Sequence, residues 1–350
     1  MADDEQRQQA EEAAASASPT QLMGQIAQGV AAGAAGVSQG VAQGVAQGMN
    51  YLWNTVVVPP SKRVELARAP ERPNADFFIK VLFHDFQEMH GDRLDKDDHS
   101  IKGGIAYFHD VPVTVIAQCK GKSIEENIRY NFGMPNPQGY RKAQRLARQA
   151  EKFGRPVITI VDTPGAYPGI EAEEKGQGEA IARSIELFSS LTVPVIAVFI
   201  GEGGSGGALA LGVANSIIML ENAIYSILSP EGFAAILWKD ASRSKEAAAV
   251  MKLTSYDIAQ YGIADFVIPE GSAPLKAPCK AVVKKLDEVL ASEIVRLAPK
   301  DGRTLAEERY QKFRAIGACG EAVAAAAAAG DASAASAAET SMQSKGDAEQ

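Results

Sequence analysis

Two short apolar runs, Val157 to Val161 and Pro194 to Ile200, each break off into glycine. The first runs into Asp162-Thr-Pro-Gly-Ala-Tyr-Pro-Gly169 and the second into Gly201-Glu-Gly-Gly-Ser-Gly-Gly-Ala208. Apolar runs punctuated in this way read as buried strands meeting loops. After the first, Ala180, Ile181, Ile185, Phe188 and Leu191 recur at helical spacing; after the second, a small-residue helix opens at Gly206. A strand, a glycine turn and a helix, twice in succession, restrict the chain to an α/β fold and put a ligand site at the ends of the strands. Ile105 to Phe108 and Pro112 to Gln118, joined at His109-Asp110, read as a hairpin, and Ile217 to Leu220 and Ile224 to Leu228 supply further strand.

This pattern fills residues 61–318, and the composition changes on either side of it. Residues 1–60 are a low-complexity stretch without a charged side chain from residue 13 onward, with glycines at 29, 33, 36, 40, 44 and 48. That spacing would align the glycines on one helix face, so the stretch reads as a weakly helical tail, a docking arm or a membrane-surface contact. Glutamines 28, 39, 43 and 47 keep its apolar runs short of the ~18 residues of a membrane span. Residues 319–350, rich in Ala and Ser, read as a disordered tail. Each tail carries a net charge of -4, so the net -8 leaves the body balanced, without the basic excess that nucleic-acid binding needs. Cys119, Cys279 and Cys319 are too dispersed for a metal knuckle or a redox pair and suit a reducing, cytoplasmic setting. The acidic start, Met-Ala-Asp-Asp-Glu, predicts no targeting segment.

The glycines around Ser205 let the backbone turn sharply and let a ligand approach it, and the helix start behind them leaves N–H groups free for an anion or oxyanion. Gly203-x-Ser205-x-Gly207 also matches a hydrolase nucleophile elbow. That reading needs a later histidine, and His84, His90, His99 and His109 all precede the serine. In the Asp162 to Gly169 segment, prolines and glycines suit either rigid main-chain donors or a plain turn. The basic stretch from Lys120 to Arg155 reads as a solvated helix face, with a coenzyme phosphate or an acidic carrier domain as the alternative.

Taken with Asn131-Phe-Gly-Met-Pro-Asn-Pro-Gln-Gly-Tyr-Arg-Lys-Ala143, Glu173-Glu-Lys-Gly-Gln-Gly-Glu-Ala-Ile-Ala182 and Ser229-Pro-Glu-Gly-Phe-Ala-Ala-Ile-Leu-Trp-Lys239, these segments resemble the carboxyltransferase alpha-subunit family of multi-subunit acetyl-CoA carboxylases over residues 62–318. The resemblance implies a crotonase-like fold, a stacked ββα superhelix, in which Ser255 to Ile268 looks like the late helix and returning strand. It also implies transfer of a carboxyl group from carboxybiotin, borne on a biotin carboxyl carrier protein, to acetyl-CoA to give malonyl-CoA, the committed step of fatty acid synthesis. The implied partners are a zinc-ribbon-bearing beta subunit, the carrier protein and a biotin carboxylase that uses the ATP, in an alpha2beta2 hetero-oligomer, with no metal in this chain. Mapped by motif, Gly206 and Gly207 act through their N–H groups and the space above them, with Gly165, Ala166, Gly203 and Gly204 lining the biotin pocket.

Two departures stand out. The uncharged stretch before residue 60 replaces the family's charged helical segment, and Ala117-Gln-Cys-Lys-Gly-Lys122 stands where relatives read His-Gln-Lys-Gly-Arg. The competing enzyme reading is another crotonase-fold acyl-CoA activity, a hydratase, isomerase or decarboxylase, using Glu202 or Glu231. The non-enzymatic one is a scaffold that docks a carrier protein.

Overall fold

A computed structural model describes residues 58–317. The expectations for residues 1–57 and 319–350, and Cys319, lie outside the described residues. Helices α1 (Pro60–Ala67) and α2 (Ala75–Leu82) lead into the meander β1 (His84–Glu88), β2 (Ile101–Phe108) and β3 (Val111–Gln118). Helices α3 (Ile124–Arg129) and α4 (Pro137–Lys152) precede β4 (Val157–Thr163). Next come α5 (Ile170–Glu174), α6 (Gln177–Ser190), β5 (Val195–Gly204), α7 (Ser205–Gly212), β6 (Ser216–Leu220) and β7 (Ile224–Ser226). The order closes with α8 (Pro230–Trp238), α9 (Ser244–Val250), α10 (Ser255–Gln260), β8 (Phe266–Ile268), α11 (Lys280–Leu297) and α12 (Gly302–Ala315). The unit that carries the site ends at Tyr310, and a second unit begins at Gln311.

The sheet runs β1-β2-β3-β4-β5-β6-β8, antiparallel as far as β3 and parallel thereafter, with β7 pairing β5 off this path. The predicted hairpin forms with Phe108 opposite Val111, and its two-residue turn is possible because His109 takes a φ of +51°. Every residue of β4 and β5 is buried, as their unbroken apolar character requires of central parallel strands. Helix α4 covers the sheet with Tyr140, Ala143, Leu146, Ala147 and Ala150, all fully buried at spacings of three and four. Helix α6 packs on α4 and on α7 and buries Ala180, Ser184 and Phe188. Between α6 and the sheet, α7 buries Gly207, Ala208, Ala210 and Gly212, small residues that suit a helix enclosed on both sides, together with Leu211.

The late helix and returning strand form as expected. Thr254 and Asp257 close a reciprocal capping box that starts α10, and β8 then pairs with β6. Among the described residues no helix is long and apolar enough to cross a membrane.

Candidate active site

Strands β4 and β5 end side by side, with Thr163 opposite Gly203. The apolar run predicts that β5 stops at Ile200, yet it continues to Gly204. Its first half pairs with β6, and Glu202, Gly203 and Gly204 then pair with β7. The glycines expected to form a loop are therefore strand, and a single residue makes the turn into α7. That residue is Ser205, exposed and held at a φ of +49°, a costly conformation for a residue with a side chain. Helix α7 has no side-chain cap. The amides of Ser205, Gly206 and Gly207 thus lack an intrahelical acceptor and carry the positive end of the helix dipole.

The turn after β4 folds against this helix start. A Cβ placed on Gly204 would lie 2.1 Å from the Pro164 carbonyl oxygen, and one on Gly207 would lie 2.5 Å from the Ala166 nitrogen and 2.7 Å from the Gly165 carbonyl carbon. Only glycine permits such approaches. The structure thus brings Gly165, Ala166, Gly203, Gly204, Gly206 and Gly207 together. It also corrects one expectation: the space above Gly207 is not open but is filled by the backbone of the neighbouring turn. The half-buried Gly206 meets only Ile181, at 3.5 Å from a Cβ.

Segments that the sequence left without a task hold this turn in place. The Thr163 hydroxyl donates to the Gly133 carbonyl at 2.6 Å and accepts from the Gly165 N–H at 3.0 Å. Tyr167 N donates to Pro135 O at 3.0 Å, and Gln177 Nε2 donates to the carbonyls of Pro135 and Tyr167. Beneath the site, Gln118 Nε2 donates to Gly207 O at 2.7 Å. The Tyr140 hydroxyl, 3.0 Å from the point a Gly207 Cβ would occupy, is buried without a hydrogen-bond partner, and burial raises its pKa so that it stays neutral.

An ion cluster behind the two strand ends is the largest feature that sequence reasoning missed. Lys120 Nζ lies 2.8 Å from Asp162 Oδ1 and 2.7 Å from Glu202 Oε2, while Arg68 Nε meets Glu202 Oε1 at 2.7 Å and its Nη1 meets Glu231 Oε1 at 3.0 Å. Asp162 also accepts the Glu202 N–H at 2.9 Å. Burial opposes charge on Lys120 and on Glu202. The attraction of opposite charges outweighs it, holding Lys120 above the usual lysine range and Glu202 below the usual carboxylate range. Glu231 is likewise lowered: burial raises it, but its pairing with Arg68 and its hydrogen bonds to its own backbone N–H and to Ser229 together pull it further down. Arg68 lies far away in sequence and in no motif, so only the fold reveals it. Arg68, Glu202, Gly203, Gly204, Pro164 and Leu228 border a small cleft on this side.

The basic stretch is not simply a solvated face. Lys142 is buried against Asp97 at 2.6 Å and the Asp98 carbonyl at 2.7 Å, Lys120 belongs to the cluster, and Arg141 and Arg145 donate to backbone carbonyls. Lys122, Arg129, Arg148 and Lys152 do face solvent. The hydrogen bonds of His84, His90 and His109 go to other groups and not to Ser205, and His99 sits beside Asp97. None of the four histidines is therefore placed to serve the elbow-like turn as a base. Among the described residues no group of three His, Cys, Asp or Glu is placed to hold a metal ion.

Comparison with known proteins identifies the family. The family described as acetyl co-enzyme A carboxylase carboxyltransferase-like matches residues 39–317, beginning earlier than the resemblance from residue 62 suggests. The acetyl-coenzyme A carboxylase carboxyl transferase subunit alpha of Anoxybacillus flavithermus is 54% identical over 258 residues, which is 74% of this chain and 79% of that one. That of Clostridium botulinum strain Alaska E43 is 54% identical over 269 residues, 76% of this chain and 97% of the other. Among solved structures, the transcarboxylase 12S hexamer core aligns with a TM-score of 0.53 at 19% identity, over 65% of this chain and 42% of that one. The Pseudomonas malonate decarboxylase MdcD-MdcE hetero-dimer aligns with a TM-score of 0.51 at 20% identity, over 68% and 96%. At such identities the structures speak for the fold, which is the expected crotonase-like one.

Proposed function

Because the chain belongs to the acetyl co-enzyme A carboxylase carboxyltransferase alpha-subunit family, we propose that the uncapped start of α7 and the Gly165–Ala166 turn together hold the oxygen of biotin on which negative charge builds during carboxyl transfer. The protein is a biotin-dependent carboxyltransferase of acetyl-CoA carboxylase, acting in fatty acid synthesis as one subunit of a complex. Its reaction moves a carboxyl group from biotin to acetyl-CoA and yields malonyl-CoA.

One observation carries the assignment. The amides of Gly206 and Gly207 lie in the first turn of a helix without a side-chain cap, and the Gly165–Ala166 backbone packs directly against Gly207. Such amides are fixed before substrate arrives and need no reorganisation as charge develops, and removing one donor of this kind typically lowers the rate by ~10²–10³. The small side chains leave the main chain itself as the binding surface. Glu202 and Glu231, the carboxylates that a hydratase-like reading needs, are both ionised and committed to Arg68. A carboxylate held below its ordinary pKa is a weakened base, so this pairing favours carboxyl transfer without a side-chain base.

In this reading the biotin group arrives on a separate carrier protein, ATP is spent by a separate biotin carboxylase, and a beta subunit supplies the donors for the thioester, in an alpha2beta2 assembly in the cytoplasm. The decisive assay incubates carboxybiotin and acetyl-CoA with the purified chain alone, with a beta subunit alone and with both. Malonyl-CoA forming only in the mixture is the expected result. Appreciable formation by the chain alone would refute the division of the site between two subunits.

A further inference from the structure

Resting on that reading of the site, we propose that the ring of Phe132 forms a wall against which the near-planar ureido ring of biotin packs. Asn131, Phe132 and Gly133 have φ angles of +48°, +55° and +74°, three consecutive residues in the left-handed region. Asn and Gly enter that region readily, whereas a bulky side chain does so against a steric penalty. Packing of the side chain would normally offset the penalty, yet Phe132 is 54% exposed. The conformation is imposed by its neighbours. Asn131 Nδ2 donates to Met134 O at 2.8 Å, Met134 N to Asn131 O at 2.9 Å, and Gly133 N to Tyr130 O at 2.9 Å.

The same segment is tied to the site. The hydroxyl of Thr163 that receives the Gly165 N–H donates to Gly133 O, and Pro135 O receives the Tyr167 N–H. Phe132 therefore adjoins Gly133, which Thr163 links to the Gly165–Ala166 turn, and it is an exposed aromatic held in a strained conformation one residue from that link. Strain of this kind, unrepaid by burial, gathers where a ligand is clamped. Backbone amides can fix an oxygen but not the plane of the ring that bears it, and an aromatic face supplies a surface on which the face of a planar ring rests.

The test uses the chain assembled with its beta subunit and follows transfer in reverse, from malonyl-CoA to free biocytin, which returns acetyl-CoA and N-carboxybiocytin. Phe132→Gly removes the ring while giving the left-handed position a residue that accepts it. The expected result is a melting temperature no lower than the parent's, with KM for biocytin raised at least about tenfold, equivalent to about 1.4 kcal/mol. KM for malonyl-CoA should stay within about twofold, and Phe132→Tyr should keep both values. A biocytin KM within about twofold of the parent in Phe132→Gly overturns the proposal. So does a lowered melting temperature, because the ring would then be holding the loop, and so does a parallel rise of both KM values. A parent assembly that transfers nothing to biocytin overturns the reading of the site, an outcome distinct from any difference between parent and variant.

Discussion

Gly207→Ala adds one methyl group where the two turns meet, and the structure sets the size of the conflict. The new Cβ would lie 2.5 Å from Ala166 N, 2.7 Å from Gly165 C and 3.0 Å from the Tyr140 hydroxyl oxygen, where ordinary contact begins at 3.4 Å. The first two atoms are backbone and the third belongs to a fully buried ring, so none can swing aside. The turns must part by roughly 1 Å to reach normal contact. Overpacking of this kind costs ~1–3 kcal/mol, and a ~1 Å displacement of a positioning group costs on the order of 10²-fold in rate. Gly206→Ala is the matched control. Its Cβ meets only Ile181, at 3.5 Å, and neither glycine has a positive φ. Gly206→Ala should therefore melt at or above the parent temperature and keep turnover within about threefold. Melting curves and carboxyl transfer with the beta subunit, measured on both variants, decide the matter. Parental stability and turnover in Gly207→Ala, or an equal loss in Gly206→Ala, would refute the reasoning.

Lys120→Met leaves Asp162 and Glu202 adjacent and part-buried without the cation between them, so denaturant titration should show a loss of ~3–5 kcal/mol, recovered in part by Lys120→Arg. Asp97 is pushed up by burial but pulled further down by Lys142 and the Gly91 N–H, to about 2. Because its pKa is lower in the folded state than the ~3.9 of a free aspartate, its contribution is fully present above about pH 4 and is lost as pH falls towards 2. Asp97→Asn should thus flatten the fall of melting temperature across that interval. Arg309 donates to the carbonyls of Phe188, Leu191 and Val193 and to Asn215 Oδ1, with burial lowering its pKa to about 10. Arg309→Met should cost about 3 kcal/mol or more, because buried acceptors lose their donor, while turnover per folded enzyme stays near the parent's.

The elements that formed where the sequence placed them are those whose signal is local. Val157 to Val161 and Pro194 to Ile200 needed only burial to become β4 and β5, and His109-Asp110 needed only a turn. The glycine segment was legible in composition but not in conformation. Whether Gly201–Gly204 is loop or strand depends on β7 reaching back to pair with it, a contact with Ile224–Ser226 that no local pattern announces. The ion cluster was hidden for the same reason. Arg68, Lys120, Asp162, Glu202 and Glu231 come from five separate segments, and although Glu202 and Glu231 read as candidate bases, nothing local pairs any of the five with another. Lys142 misled in the opposite direction: it sits among basic residues that suggest a wet helix face, yet Asp97 and the Asp98 carbonyl draw it inside.

The position of Glu202 ties the cluster to the chemistry. It is both the second residue of the glycine segment and the group on which Lys120 and Arg68 converge. A site built from main-chain amides cannot be tuned by choosing side chains at the donor positions, since those positions are glycine; its geometry must be set from behind. Asp162 and Glu202 each lie in the last residues of one of the two strands, just ahead of its turn, and Lys120 joins them, with the Glu202 N–H closing the link onto Asp162. The separation of β4 and β5 at their ends is thereby fixed by charge-assisted bonds rather than by packing alone. Glu202 is thus consumed in holding the two strand ends, and it is unavailable as a base for the same physical reason that makes it an effective clamp.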